Sequence, residues 1–309
     1  MKLIRRIKKV ITSPKSLVQY FMATRPKMFS WMSDEQYIKF EYKLFTGMRL
    51  NLENPKRFNE KLQWLKLYDH NPQYTTLVDK QDVKSWVTSV IGEEYVIPSL
   101  GVWSRFEDID FNLLPEQFIL KCTHDSGGNI ICTDKNTFDR QVAKKKIDAC
   151  MKKRYFLEHR EWPYKNVEPR IIAEPLLVDE PGKPLKDYKL FCFHGITEFL
   201  FVASDRGKGT TKFDFYDKEF NRMPVAQHYP NSENGVSKPQ QFVLMKELAF
   251  KLAKDIPFVR VDFYEVKGQV FFGELTFCHF AGIETFEPDS YDFEFGKLID
   301  LNEYGRAKK

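Results

Sequence analysis

The sequence contains no CxxC pair, no G-K-[ST] triplet, no HExxH and no GxSxG. Those absences remove a zinc ribbon, a helical phosphate loop, a metalloprotease helix and a nucleophile elbow from consideration. Its five cysteines (Cys122, Cys132, Cys150, Cys192 and Cys278) are odd in number and widely scattered, so no disulfide framework is expected. Reduced, buried thiols in a cytoplasmic protein are the expectation instead. No stretch reaches the roughly 18 consecutive apolar residues that a membrane span requires. The opening MKLIRRIKKVI interleaves charge with apolar residues and lacks the continuous apolar core of a signal peptide.

What is present is a 309-residue chain with 42% hydrophobic residues and a mean hydropathy of −0.47, suited to a sizeable globular core. The 28 phenylalanines are read as core material rather than as a ligand cage. The net charge of +5 is unevenly placed. Residues 1–28 hold eight basic residues and no acid, so the body is slightly acidic and a nucleic-acid partner is not expected. In that arm Leu3, Ile7, Val10 and Ile11 fall at helical spacing among lysines and arginines. The pattern is that of a short basic amphipathic helix, docked on its own domain or resting on an anionic membrane surface.

Along the chain, residues 55–70 predict a helix with Phe58, Leu62 and Leu65 on one face, Pro55 suiting its start. Residues 78–98 predict a helix, a stop at Gly92 and a short strand. FILKCTHDSGGNIIC (118–132) predicts two strands around a glycine turn, and 139–154 a lysine-rich helix. IIAEPLLVDE and DYKLFCFHGITEFLFVA (187–203) are strand-rich, whereas 243–256 places Leu244, Leu248 and Leu252 on one helical face. The mixture is α+β with antiparallel hairpins.

The densest chemistry lies in FVRVDFYEVKGQVFFGELTF, 258–277. A three-residue loop at Lys267–Gln269 would pair Val266 with Val270, set Asp262 opposite Glu274 and Arg260 opposite Thr276. Two carboxylates directly across a strand pair repel unless a cation compensates them. The compensation is either Arg260, in an ion network on a solvent-facing edge, or a divalent cation on hard oxygen ligands.

This hairpin resembles the metal-binding end of the ATP-grasp superfamily. FNEKLQWLKLYDHNP, THDSGG, REWPYKN, PRIIAE, KDYKLFCF and PFVRVDFY, in that order over roughly residues 50–300, resemble the TupA-like ATP-grasp branch of teichuronopeptide and surface-polysaccharide biosynthesis. The resemblance implies an ATP-grasp fold with two α+β lobes clasping ATP. Residues 1–50 would be the basic arm and a helical region, 51–117 a helper region, and 118–305 the ATP-grasp domain with a hinge near 174–187. It implies that Lys80 and Lys121 contact the ATP phosphates, beneath a mobile turn holding Ser126, Gly127 and Gly128. Glu174 and the backbone through Leu176 and Leu177 would meet adenine, with Asp187 near the ribose and Lys189 also binding the nucleotide. Asp262, Glu274 and Thr276 would hold Mg²⁺, and Arg260, with Lys121, would serve catalysis by stabilising the transition-state oxyanion. Thr276 departs from the superfamily, which has an asparagine there. The tail CHFAGIETF lacks the usual proline–glycine turn, leaving Gly282 as the glycine on the oxyanion side. His279 is either a substrate contact or, as is commoner for a lone histidine beside a core strand, structural.

The implied activity is an ATP-dependent carboxylate–amine (or carboxylate–thiol) ligase passing through an acyl phosphate. Its implied substrates are an amino acid and a uronic acid or amino sugar, and its place the cytoplasm or the inner membrane face. A rival reading is a glycosyltransferase using Asp108-Ile109-Asp110 as a metal-binding DxD, although that triplet follows WSRFE rather than an apolar strand. A catalytically dead glycan- or lipid-binding adaptor would be favoured if the lysines or carboxylates were missing, and they are present.

Overall fold

The computed structural model describes residues 14–206 and 209–301. Leu3, Ile7, Val10 and Ile11 of the amphipathic arm lie outside the described residues. The helical segments are α1 (Pro14–Thr24), α2 (Asp34–Thr46), α3 (Phe58–Tyr68), α4 (Gln73–Val78), α5 (Asp82–Ile91), α6 (Arg140–Met151), α7 (Phe156–His159), α8 (Phe242–Ala253) and α9 (Ser290–Lys297). The strands are β1 (Gly101–Trp103), β2 (Phe118–Cys122), β3 (Ile130–Cys132), β4 (Ile171–Pro175), β5 (Asp187–Phe193), β6 (Ile196–Ser204), β7 (Lys212–Asp217), β8 (Val259–Val266) and β9 (Gln269–Thr276). They form two antiparallel sheets, one of four strands ordered β1-β4-β2-β3 and one of five ordered β7-β6-β5-β8-β9. The four-stranded sheet thus takes in residues 101–103, upstream of position 118.

Alternation along the five-stranded sheet sends two sets of side chains to two cores. Leu190, Cys192, Leu200, Val202, Val259 and Val261 face α5 and α8, where Leu248 and Leu252 are buried and Leu244 is only partly so. Phe191, Phe193, Phe199 and Phe201 face α3 and α9, in a cluster that also holds Phe58, Phe258, Phe286 and Phe295. Ten of the phenylalanines sit in that one cluster. Helix α3 delivers Phe58, Leu62 and Leu65 to it, as their spacing predicts. The four-stranded sheet packs its own core against α6 through Ala143, Ile147 and Cys150.

Two local expectations differ from the structure. Gly92 (φ 113°) ends α5, but Glu93–Tyr95 form a 3-10 turn and only Val96 bridges a strand, at Phe272. Two successive glutamates in that turn leave only Tyr95 to pack against the core, too little apolar surface to bury a strand. In the β8–β9 hairpin the loop has two residues, Lys267 and Gly268, both at positive φ (51° and 78°), with Val266 paired to Gln269. Such a turn matches the twist of the flanking strands better than a three-residue loop. A bulge then adds one residue at Gly273, and Asp262 still faces Glu274 while Arg260 faces Thr276. The shorter loop and the bulge offset each other.

All five cysteines are free and buried. Among the described residues no helix is long and apolar enough to cross a membrane.

Phe58 has ring centroids 5.0 Å from Phe258, 6.0 Å from Phe286 and 6.1 Å from Phe191. Phe58→Ala should therefore lower unfolding free energy by about 3–5 kcal/mol. Urea denaturation reads this directly, and a loss below about 1 kcal/mol would show that α3 docks by other means.

Candidate functional site

A narrow cleft of about 110 Å³ opens between the two sheets. The four-stranded sheet contributes Lys121 from β2 and Glu174 from β4, which face each other one strand apart because Lys121 pairs with Ile172 and Ile119 with Glu174. Glu174 is buried and binds Lys121 and, at 2.5 Å, Lys84 of α5. Burial acts to raise its carboxyl, but Lys121 and Lys84 outweigh that and hold it below the usual range. Burial likewise lowers Lys84, against the pull of Glu174. Lys80 stands just ahead of α5 and donates to the carbonyl of Asp125 in the glycine turn. Its loop is fixed by Asp79, which accepts from the backbone of Gln81 and Asp82 and pairs with Arg170 at 2.9 Å.

The glycine turn is pinned at one end and open at the other. His124 contacts the Cys150 carbonyl at 3.3 Å, and the Asp125 carboxylate accepts from the Cys150 thiol. Ser126 and Gly127 are exposed and line the cleft, Gly127 at φ 96° with open space beside it. Gly128 instead faces inward, where an added Cβ would stand 2.9 Å from both Asp125 and Cys150. A strand, not a helix, follows this turn, so a phosphate held here would rest on backbone N–H groups and lysine charge.

The five-stranded sheet supplies the other wall. Asp187 and Lys189 of β5, Arg260 and Asp262 of β8, and Glu274 and Thr276 of β9 occupy one face. Asp262 is fully buried. Arg260 grips it with two donors at 2.7 and 2.8 Å, and Lys189 bonds it from the neighbouring strand. The same guanidinium reaches Thr276 at 2.9 Å, Glu274 at 3.2 Å and His279 Nδ1 at 2.9 Å. His279 is fully buried, contacts Gln227 through Nε2 at 2.8 Å, and is pushed well below its ordinary pKa by burial and by Arg260. It stays neutral and so fixes the guanidinium's orientation. Lys189 also bonds Asp187 at 2.7 Å, and Arg206 bonds the same Asp187 oxygen at 2.7 Å. Asp187 Oδ1 is buried and without a partner among the described residues.

Burial pushes Asp262 up to about 6 in spite of Arg260 and Lys189. Burial acts the same way on Glu274, but Lys189, Arg260 and Lys80 override it and hold that carboxyl at about 2. Glu274 keeps 38% of its side chain exposed. Hard oxygens on Asp262, Glu274 and Thr276, held opposite one another, fit Mg²⁺, which takes one or two carboxylates beside substrate phosphates. Among the described residues there is no group of three or more His, Cys, Asp or Glu arranged to hold a metal by themselves. Glu274 is the more open of the two carboxylates, because Asp262 is fully buried with both oxygens already bonded.

A second, larger cavity of about 610 Å³ lies behind this wall. Ser126, Lys189, Arg206 and Glu274 line both spaces. Arg260 and Thr276 face the larger one, whose aromatic walls include Tyr155, Tyr164, Phe201, Phe213 and Phe280. Some phenylalanines therefore do line a ligand-sized space, at the edge of the core they belong to.

Of the residues expected at the site, Lys80, Lys121, Ser126, Gly127, Glu174, Asp187, Lys189 and Glu274 line the cleft. Arg260, Asp262 and Thr276 stand immediately behind. Leu176 and Leu177 follow β4, are partly exposed and do not line it. Gly282 (φ 65°) faces α3, where an added Cβ would lie 2.5 Å from Gln63. Asp108 is bound to Arg105 at 2.7 Å, Asp110 accepts from the Asn112 backbone at 2.9 Å, and neither lines the cleft or the larger cavity. Sequence reasoning missed Lys84, Arg206 and Tyr264. Lys84 is one helical turn past Lys80, which is a usable signal. Arg206 is aimed only by the β5–β6 pairing and leaves none.

Two sheets clasping a cleft with lysines on one wall and an Arg–Asp–Glu hairpin on the other define an ATP-grasp enzyme. The chain belongs to the TupA-like ATPgrasp family, whose model matches residues 60–300. No curated protein matches it. Among solved structures it is similar to D-alanine–D-alanine ligase from Helicobacter pylori, at 14% identity and TM-score 0.42 over 82% of this chain and 70% of that one. The Bacillus anthracis D-alanine–D-alanine ligase complexed with ATP gives 16% and 0.42 over 75% and 67%. The ATP-grasp ligase PsnB, complexed with minimal precursor, Mg and ADP, gives 11% and 0.41 over 78% and 66%.

Glu174→Gln strips the shared counter-charge from Lys84 and Lys121, which are only 12% and 16% exposed. A loss of about 3–5 kcal/mol in urea-determined stability at neutral pH is expected. The folded carboxyl lies below its unfolded value, so its contribution is present above about pH 4.3 and lost as pH falls through the folded pKa. The variant's stability should therefore vary less on the acid side than that of the unsubstituted protein. Equal acid slopes would contradict the pairing.

Proposed function

We propose that the protein is an ATP-dependent carboxylate–amine ligase, forming an amide between an amino acid and a uronic acid or amino sugar of a bacterial surface polysaccharide. The observation that carries this reading is the shared wall: Ser126, Lys189, Arg206 and Glu274 border both the phosphate-sized cleft and the larger cavity. A phosphoryl group held in the first is thereby within reach of an acceptor in the second.

Phosphoryl transfer asks the protein for positioning and charge more than for covalent chemistry. Lys80, Lys121 and the open half of the glycine turn would bind the triphosphate. Glu174, through its position between Lys84 and Lys121, sets where those ammonium groups stand. Glu274, with Asp262 and Thr276, would hold Mg²⁺, which when bound neutralises charge on the phosphate oxygens. Arg260, locked in place by Asp262, Thr276 and His279, faces the cavity in which a carboxylate would be activated. The carboxylate oxygen attacks the γ-phosphorus, the bond to the β–γ bridging oxygen breaks, and ADP leaves. The resulting acyl phosphate then reacts with an amine, because a free carboxylate is a poor electrophile. The polar but aromatic-walled cavity suits a sugar ring or amino-acid-sized ligand, and its volume lies in the usual range for small-molecule sites.

The test is ADP release from MgATP across a matrix of uronic acids, amino acids and amino sugars, with hydroxylamine trapping of the acyl phosphate. Carboxylate-dependent ADP release is expected, reduced about 10²–10³-fold by Glu274→Gln and unchanged by Asp110→Asn. ADP release indifferent to every carboxylate would refute the ligase class. Loss of activity on Asp110→Asn would instead favour the glycosyltransferase reading.

A further inference from the structure

Two segments singled out in the sequence, FNEKLQWLKLYDH and REWPYKN, supply nothing to the nucleotide cleft; both build the larger cavity. From α3, Gln63 donates to the carbonyls of Ala281 and Gly282 at 2.9 and 2.7 Å, Lys66 to Ala281 at 2.7 Å, and Asn59 to Glu284 at 2.9 Å. These bonds shape the cavity's far wall, where Phe280 and Ala281 are held at positive φ (44° and 52°). Arg160, itself at φ 53°, ties the other segment to the N-terminal helices through Phe29, Asp34 and the face of Tyr37.

Held between these anchors is Glu161, 4% exposed and lining the cavity. Its carboxylate has no hydrogen-bond or ion-pair partner among the described residues. Its charge raises the hydroxyls of Tyr155 and Tyr164 and the thiol of Cys278, in each case second to burial. All three groups line the same cavity, which places the carboxylate's reach there. The two tyrosine rings lie 4.6 Å apart. The nearby cations are committed elsewhere: Lys66 to the Ala281 carbonyl, His159 to Glu41 at 2.7 Å, and Arg260 to its own cluster. A buried carboxylate left without a partner is costly, so a site that keeps one is built for a ligand that completes it.

We propose that Glu161 receives the primary amine of the acceptor substrate, holding it as an ammonium between the tyrosines and then taking its proton. The assignment rests on the ligase reading above. Aromatic faces beside the carboxylate favour the same cation. One ammonium proton passes to Glu161, and the freed nitrogen attacks the acyl-phosphate carbon. The C–N bond forms, the bond from carbon to the phosphate oxygen breaks, and the second nitrogen proton leaves with inorganic phosphate. Burial, opposed by Lys66 and His159 and reinforced by Glu41, pushes Glu161 up to about 7, with Arg260 acting downward from β8. A base poised near neutrality is what this proton transfer requires.

The test uses the full chain with AMP-PNP and Mg²⁺. D-glucosamine, L-alaninamide and ethanolamine are titrated calorimetrically beside D-glucose, L-lactamide and ethylene glycol. At least one amine should bind about tenfold more tightly than its hydroxyl counterpart, and Glu161→Gln should abolish that preference while leaving AMP-PNP affinity unchanged. In the unsubstituted protein the preference should fade as pH falls through about 7, a readout that holds even if the variant fails to fold. Equal binding of every amine and its hydroxyl counterpart, a preference that survives Glu161→Gln, or one that is constant across that pH range overturns the assignment. If AMP-PNP itself does not bind, the ligase reading fails and the assignment falls with it.

Discussion

The site depends on one buried carboxylate, Asp262, fixed on one side by its own strand's Arg260 and on the other by Lys189 of the neighbouring strand. Setting Asp262 across from Glu274 would otherwise repel. The arginine resolves this by bonding both carboxylates at once, and its planar fork suits the task in a way a lysine would not. Once the fork is occupied, its remaining donors are directed at Thr276 and His279. The orientation of the whole polar face follows.

That polar face continues the phenylalanine-rich core rather than standing apart from it. Phe191 and Lys189 share a face of β5, and Phe201 on β6 lies 5.9 Å beneath the Arg260 guanidinium. Apolar packing on one side keeps the ion cluster out of water and strengthens every charge interaction within it. The two sheets divide the work. The four-stranded one presents Lys121 and a single glutamate, which Lys84 of α5 joins, and the five-stranded one presents carboxylates around a single arginine. The N-terminal helices and α3 add the second cavity, through Arg160 and through the bonds of Gln63 and Lys66.

Much of this was legible in the sequence because the deciding signals are local. Alternation in VRVDFYEV and the spacing of Phe58, Leu62 and Leu65 need no partner to be read. The facing of Asp262 and Glu274 was also legible, although by a different route from the one the chain takes: a tighter turn and a bulge at Gly273 arrive at the same register. What the sequence did not disclose are the contacts that depend on folding distant segments together. Lys84 meets Glu174 across 90 positions, Arg206 meets Asp187 only after β5 pairs with β6, and Glu161 matters only because α2, α3 and β8 surround it. His279 is buried, as a structural histidine would be, and its bond to Arg260 gives it a positioning role that spacing alone does not reveal.

The central claim is that both sheets grip one nucleotide. Lysine acetylation footprinting by mass spectrometry tests it most directly, comparing the protein alone with the protein saturated with MgATP. The account predicts that Lys121 on the four-stranded sheet and Lys189 on the five-stranded sheet are shielded together, while Lys144 and Lys145 on the outer face of α6 react unchanged. Shielding of one sheet's lysine without the other, or of neither, would contradict it.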